Sequence, residues 1–252
     1  MHNFQDIWAV PIGIAHFQKE KDKSEFGRVK IMSKKKEWIF LIVGFFGAML
    51  GLYGVIAFNR FLLMSLPLVL RMVGMPIVYW LIALIPIIVM FVNKDKLVEY
   101  GFDKEKIHLQ IIVGVLIGIA MSVILTLIPH LFGFGEYVDN GKRYEYLWQF
   151  IYEFIYCILA VGFVEEFVFR GFVYKKIYTI SQKDVIAIVV SSALFGVFHL
   201  FGGNFIQIIM TSFIGAFFCF CRLKIKNCST LSLIIAHGVY DALITVFASL
   251  LQ

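Results

Sequence analysis

Seven long apolar runs dominate this sequence, spanning residues 38–58, 72–92, 109–129, 147–174, 185–203, 205–221 and 229–251. A helix needs about 20 such residues to cross a bilayer. In hydrocarbon every backbone N–H and C=O must be bonded within the segment, so continuous runs read as helices. The alternating pattern of a membrane barrel is absent. The second run can begin earlier, because residues 61–70 are also largely apolar, with Pro67 and Arg71 as interruptions. Composition closes the other routes. Hydrophobic residues make up 60% and charged residues only 16% of the 252 positions, against about 45–50% apolar in a soluble domain. A soluble globule, a disordered chain and a secreted disulfide scaffold are thereby excluded. The expected fold is an all-α, polytopic integral membrane bundle of about seven transmembrane helices, with six to eight as the range.

The basic residues set the orientation. With the N-terminus inside, 18 of the 23 Lys and Arg fall in inner segments and four in outer ones. That asymmetry places the N-terminus in the cytoplasm. It also accounts for the net charge of +6 through topology and anionic lipid, not nucleic acid. A basic cytoplasmic segment (1–37) thus precedes N-terminal transmembrane helices (38–130) and a second helical set (147–251). Cys157, Cys219, Cys221 and Cys228 lie in or beside apolar runs with no Cys-x-x-Cys spacing, and read as small hydrophobes. Residues 7–17 lack the flanks of a cleavable signal. Met32 resembles a natural start, so residues 1–31 read as an extension.

Chemistry lies in what interrupts the apolar runs. Glu153, Glu165, Glu166, Arg170 and Asp241 sit inside them, with His199 and His237. A charge at the centre of a spanning helix costs about 2.5–3.5 kcal/mol. Such groups persist where they pair, meet water or work. Glu166 and Arg170 are four apart and share a helix face as an ion pair, while Glu165 is turned about 100° away. Phe195 shares a face with His199, and His237 with Asp241. Gly196 and Gly238 permit close helix approach. Measured from run midpoints, Glu165 and His237 agree in depth, whereas His199 needs tilt or a shifted helix boundary to meet them. Glu153 sits near the outer end and reads as interfacial or cavity-facing, and Phe195 as packing.

Glu-Glu-x-x-x-Arg, Phe-x-x-x-His and His-x-x-x-Asp, in order on successive apolar helices, resemble the CPBP intramembrane proteases. This family includes the CAAX prenyl-processing and bacteriocin-processing (Abi) proteins. The matching residues are Glu165, Glu166 and Arg170, then Phe195 and His199, then His237 and Asp241. The resemblance covers roughly residues 147–245, and the first three runs match only as generic spanning helices. It implies an intramembrane endopeptidase acting on a membrane-associated peptide or protein. Glu165 looks like the general base, His199 its partner in activating water, and Glu166 with Arg170 the structural support. His237 and Asp241 look like the oxyanion group. The prenyl-processing branch carries Asn at the last position, and Asp donates a hydrogen bond only when protonated. Asp241 therefore stays open between oxyanion, orientation of His237 and metal holding. A divalent metal such as zinc, if present, falls to Glu165, His199 and His237; the glutamate–histidine scheme itself needs none. Peptide or bacteriocin maturation, or self-immunity, in a bacterial plasma membrane is the expected setting. The alternatives are a non-catalytic scaffold or immunity protein of the same fold, and a proton-coupled transporter.

Overall fold

A computed structural model describes residues 34–139, 141–201 and 205–251. The expectations for residues 1–31 and the turn expected at residues 202–204 fall outside the described residues. Among those described, every regular element is helical and there is no strand. Seven helices are long and apolar enough to cross a membrane. They are α1 (Lys34–Ser65), α2 (Leu68–Asn93), α3 (Ile107–Leu131), α4 (Leu147–Ser181), α5 (Asp184–Phe201), α6 (Phe205–Lys224) and α7 (Thr230–Leu250). They are the seven expected runs, and the second does begin early, at Leu68. The chain is an integral membrane protein.

One helix is central. In α7, 61% of the most apolar window is buried, against 22–33% in the other six. It packs along α3 and the first half of α4, while α1 lies on α2 and α5 pairs with α6 against the second half of α4. Phe46, Phe91 and Phe213 are among many large apolar side chains that stay exposed, as a lipid-facing surface requires. Helix α7 starts at a built cap: Ser229 Oγ accepts from the Leu231 N–H at 3.1 Å and the Ser232 N–H at 3.4 Å, satisfying orphan donors of the first turn.

Two features of α4 differ from the simple run. First, it continues to Ser181 and is 35 residues long, about 50 Å at 1.5 Å per residue. Lys175 and Lys176, which read as loop charges, lie inside it and are paired. Lys176 is fully buried between Glu37 (3.0 Å) and Asp95 (2.9 Å), and Lys175 reaches Asp95 at 2.7 Å. Burial of Asp95 opposes its charge, but hydrogen bonds from Lys175, Lys176 and Tyr100 hold its carboxyl down at about 2. Burial, with Asp95 beside it, pushes the Tyr100 hydroxyl well above its ordinary value. Second, α4 is widened into π-helical turns at Cys157–Gly162 and Phe167–Val173, leaving one α-helical turn, Phe163–Glu166, between them. Such widenings re-aim side chains and recur at functional sites.

Candidate active site

The turn between the two widenings carries Glu165 and Glu166. Both are buried, Glu165 at 3% and Glu166 at 0% exposure. Two glycines bring α7 against this turn. A Cβ on Gly238 would stand 2.5 Å from Ile158 Cα, and one on Gly162 2.6 Å from the Ile234 carbonyl oxygen. Backbones this close leave no room for larger residues, and His237 is carried to the glutamates. Gly196 does the same between α5 and α6, where a Cβ would meet the Ile208 carbonyl oxygen at 2.5 Å.

Glu166 is the hub of a fixed network. Its Oε1 accepts from His237 Nδ1 at 2.7 Å and pairs with Arg170 Nη1 at 3.1 Å. The Arg170 guanidinium is 1% exposed and lies over the Phe195 ring at 4.0 Å and the Phe218 ring at 5.3 Å. The Arg170 carbonyl accepts from Arg222 Nη1 at 2.5 Å. Phe195 has two attachments: its ring backs Arg170, and its carbonyl oxygen lies 2.9 Å from His199 Nδ1. That bond puts the proton of a neutral His199 on Nδ1 and leaves the Nε2 lone pair free to accept.

Glu165 faces away from this network. His199 Nε2 and His237 Nε2 each lie 3.8 Å from Glu165 Oε2, and Asp241 Oδ2 lies 3.4 Å from His237 Nε2. All four expected site residues therefore converge on one locality, beside the expected support pair. His237 has carboxylate oxygens at both ring nitrogens. His199 and Asp241 are its more open members, with side chains 22% and 28% exposed. The depth mismatch disappears because α4 is longer than its apolar run. Glu165 lies sixteen residues before the end of α4, and His199 fifteen residues after the start of α5, so the two stand at similar height.

The fit of a metal ion was tested on the same atoms. Among the described residues, no group of three or more His, Cys, Asp or Glu is arranged to hold one. Glu165 Oε2 stands 3.8 Å from each histidine Nε2, wider than the roughly 3.4 Å between neighbouring ligand atoms of a tetrahedral zinc with bonds near 2.1 Å, whereas Asp241 Oδ2 stands 3.4 Å from His237 Nε2. No step is routed through a metal.

Two residues are placed by the structure in ways the sequence did not suggest. Tyr79, in the α2 run read as a generic span, donates its hydroxyl proton to Glu165 Oε1. The available signal was a hydroxyl in the middle of an apolar helix, where a partner is required. Glu153 is 2% exposed and lies outside the cluster. It accepts from Lys142 Nζ at 2.5 Å, Tyr144 hydroxyl at 2.8 Å and Thr245 Oγ1 at 3.2 Å. It ties the loop before α4 to α4 and α7. Burial, with Glu153 beside it, pushes the Tyr144 hydroxyl up.

Among the described residues, fold and site make an all-helical membrane bundle that holds a cluster of two glutamates, two histidines, an arginine and an aspartate. Residues 147–243 match the family model described as "Type II CAAX prenyl endopeptidase Rce1-like", so this stretch is similar to that family. Comparison with curated proteins and with solved structures gave no match.

Proposed function

We propose that the chain is an intramembrane endopeptidase that hydrolyses a peptide bond of a membrane-associated peptide or protein. The observation that carries this is the convergence of two histidine Nε2 atoms on the same oxygen, Glu165 Oε2, each at 3.8 Å. That oxygen is buried and makes no hydrogen bond within the described protein. A water donating one proton to Glu165 Oε2 and the other to His199 Nε2 fits the separation, with hydrogen bonds of about 2.8 Å. Its lone pairs then point at a substrate carbonyl.

In the reaction, the water oxygen bonds to the carbonyl carbon as Glu165 takes a proton. The carbonyl π electrons move to the oxygen. His237, as an imidazolium with a proton on each ring nitrogen between the Glu166 and Asp241 carboxylates, meets that oxyanion from Nε2–H, a donor aimed where charge develops. Collapse of the intermediate breaks the C–N bond. Glu165 passes its proton to the leaving nitrogen, giving a carboxylic acid and an amine, and transfer of the remaining water proton from the acid to the amine leaves a carboxylate and an ammonium. Glu166, fixed by Arg170, orients His237 through Nδ1. Of the three roles left open for Asp241, orientation of His237 suits its acceptor oxygen at 3.4 Å. The N-terminus is cytoplasmic in this reading, and the second helical set is the catalytic part. Peptide or bacteriocin maturation, or self-immunity, in a bacterial plasma membrane is its setting.

The test is peptidomics of cells carrying wild type, Glu165→Gln or His199→Ala. The expected result is an uncleaved precursor that accumulates in both variants and whose product appears only with wild type. Identical peptide profiles with well-expressed variants overturn the reading in favour of a non-catalytic scaffold.

A further inference from the structure

We infer that Tyr79, outside the segment that matches the protease family, is a positioning residue for the Glu165 carboxylate. The inference rests on the catalytic reading of Glu165 given above. Helix α2 is interrupted between Leu68–Tyr79 and Leu81–Asn93, with Pro76 and Pro86 on either side of the break. Proline removes a backbone donor and disturbs the turn before it. Tyr79 is the last residue before the break, and there its side chain reaches α4. Its ring meets Tyr156 edge-on at 6.2 Å, and its hydroxyl donates to Glu165 Oε1. The adjacent Trp80 stacks on Phe163 at 4.8 Å, in the same turn of α4 that carries Glu165.

A carboxylate has a broad, nearly two-fold terminal torsion. Held at its backbone end alone, Glu165 would turn either oxygen, or neither, toward the histidines. With Oε1 occupied by the Tyr79 hydroxyl, the carboxylate plane is set and Oε2 is presented to His199 and His237. The division is complete: one oxygen is bonded to Tyr79, and the other faces both histidines. The N-terminal helices thus supply an orienting group to a site whose other members come from α4, α5 and α7.

Tyr79→Phe removes the hydroxyl and keeps the ring against Tyr156. Two readouts on the full chain in proteoliposomes test the inference. The first is infrared difference spectroscopy, in which the phenol band of Tyr79 is assigned by its loss in Tyr79→Phe and then followed in Glu165→Gln. A band that shifts in Glu165→Gln is expected. An unmoved band overturns the inference and leaves the protease reading intact. The second is kinetics on the precursor recovered from cells lacking the protein. The expected outcome is a kcat lowered about 10- to 100-fold, the weight of a hydrogen bond to a charged group, with KM unchanged. An unchanged kcat, or a change confined to KM, overturns it. A band that shifts while Glu165→Gln cleaves as wild type does overturns the protease reading itself, and the positioning role with it.

Discussion

His237 Nδ1 lies 2.7 Å from Glu166 Oε1, joining α7 to α4 through an oxygen that Arg170 also holds at 3.1 Å. Removing the carboxylate therefore strands a cation and frees an imidazole at once. Glu166→Ala leaves the buried Arg170 without its counter-charge, a change that costs about 3–5 kcal/mol. Glu166→Gln keeps an acceptor and the shape. The expected melting temperatures in detergent fall in the order wild type, Glu166→Gln, Glu166→Ala, and cleavage is impaired in both variants.

The close approach of α4 and α7 makes a different prediction. A methyl at Gly238 has no space beside Ile158, and one at Gly162 none beside the Ile234 carbonyl. Overpacking of this kind costs about 1–3 kcal/mol. Because the same contact carries His237 to Glu166, Gly238→Ala is expected to lower both the melting temperature and the cleavage rate. A substitution at lipid-exposed Phe213, for example Phe213→Leu, is expected to change neither.

These two cases show what could be read beforehand and what could not. The helices were legible because apolar runs in hydrocarbon have few alternatives. Glu165, His199 and His237 were legible because ionisable groups stand out against such runs. Tyr79 was not, since its contact with Glu165 spans 86 positions, and a hydroxyl in an apolar helix calls for a partner without naming it. The end of α4 was misplaced at residue 174 because Lys175 and Lys176 look like loop charges. Their partners, Asp95 and Glu37, come from elsewhere in the chain. The widened turns of α4, on either side of the turn that carries both glutamates, leave no composition signal.

The charge cluster at that end of α4 gives a pH dependence. Asp95 titrates at about 2, below its ordinary 3.8. A depressed carboxyl contributes stability that is fully present above its unfolded value and is lost as pH falls through the folded one. The stability difference between wild type and Asp95→Asn is therefore expected to be constant above about pH 5 and to shrink between about pH 4 and pH 2. Melting curves across that window check it. A difference that persists unchanged at the acid end argues against an ionised Asp95 in the cluster.

The water-based scheme makes a prediction about metal. No step of the scheme passes through a metal ion, so dialysis against a strong chelator is expected to leave cleavage unchanged, and added zinc to bring no gain. Loss of cleavage on chelation that zinc restores would assign Glu165, His199 and His237 to a metal instead.

The most direct measurement is the cleavage rate of purified protein in proteoliposomes, wild type against Glu165→Gln, on the precursor that accumulates in cells lacking the protein. General-base catalysis contributes about 10²- to 10⁴-fold, and Glu165 Oε2 has no hydrogen bond in the described protein to lose. The expected result is a rate lowered at least about 100-fold in a variant that melts like wild type. Equal rates for the two proteins would contradict the assignment of Glu165 as the base that activates water.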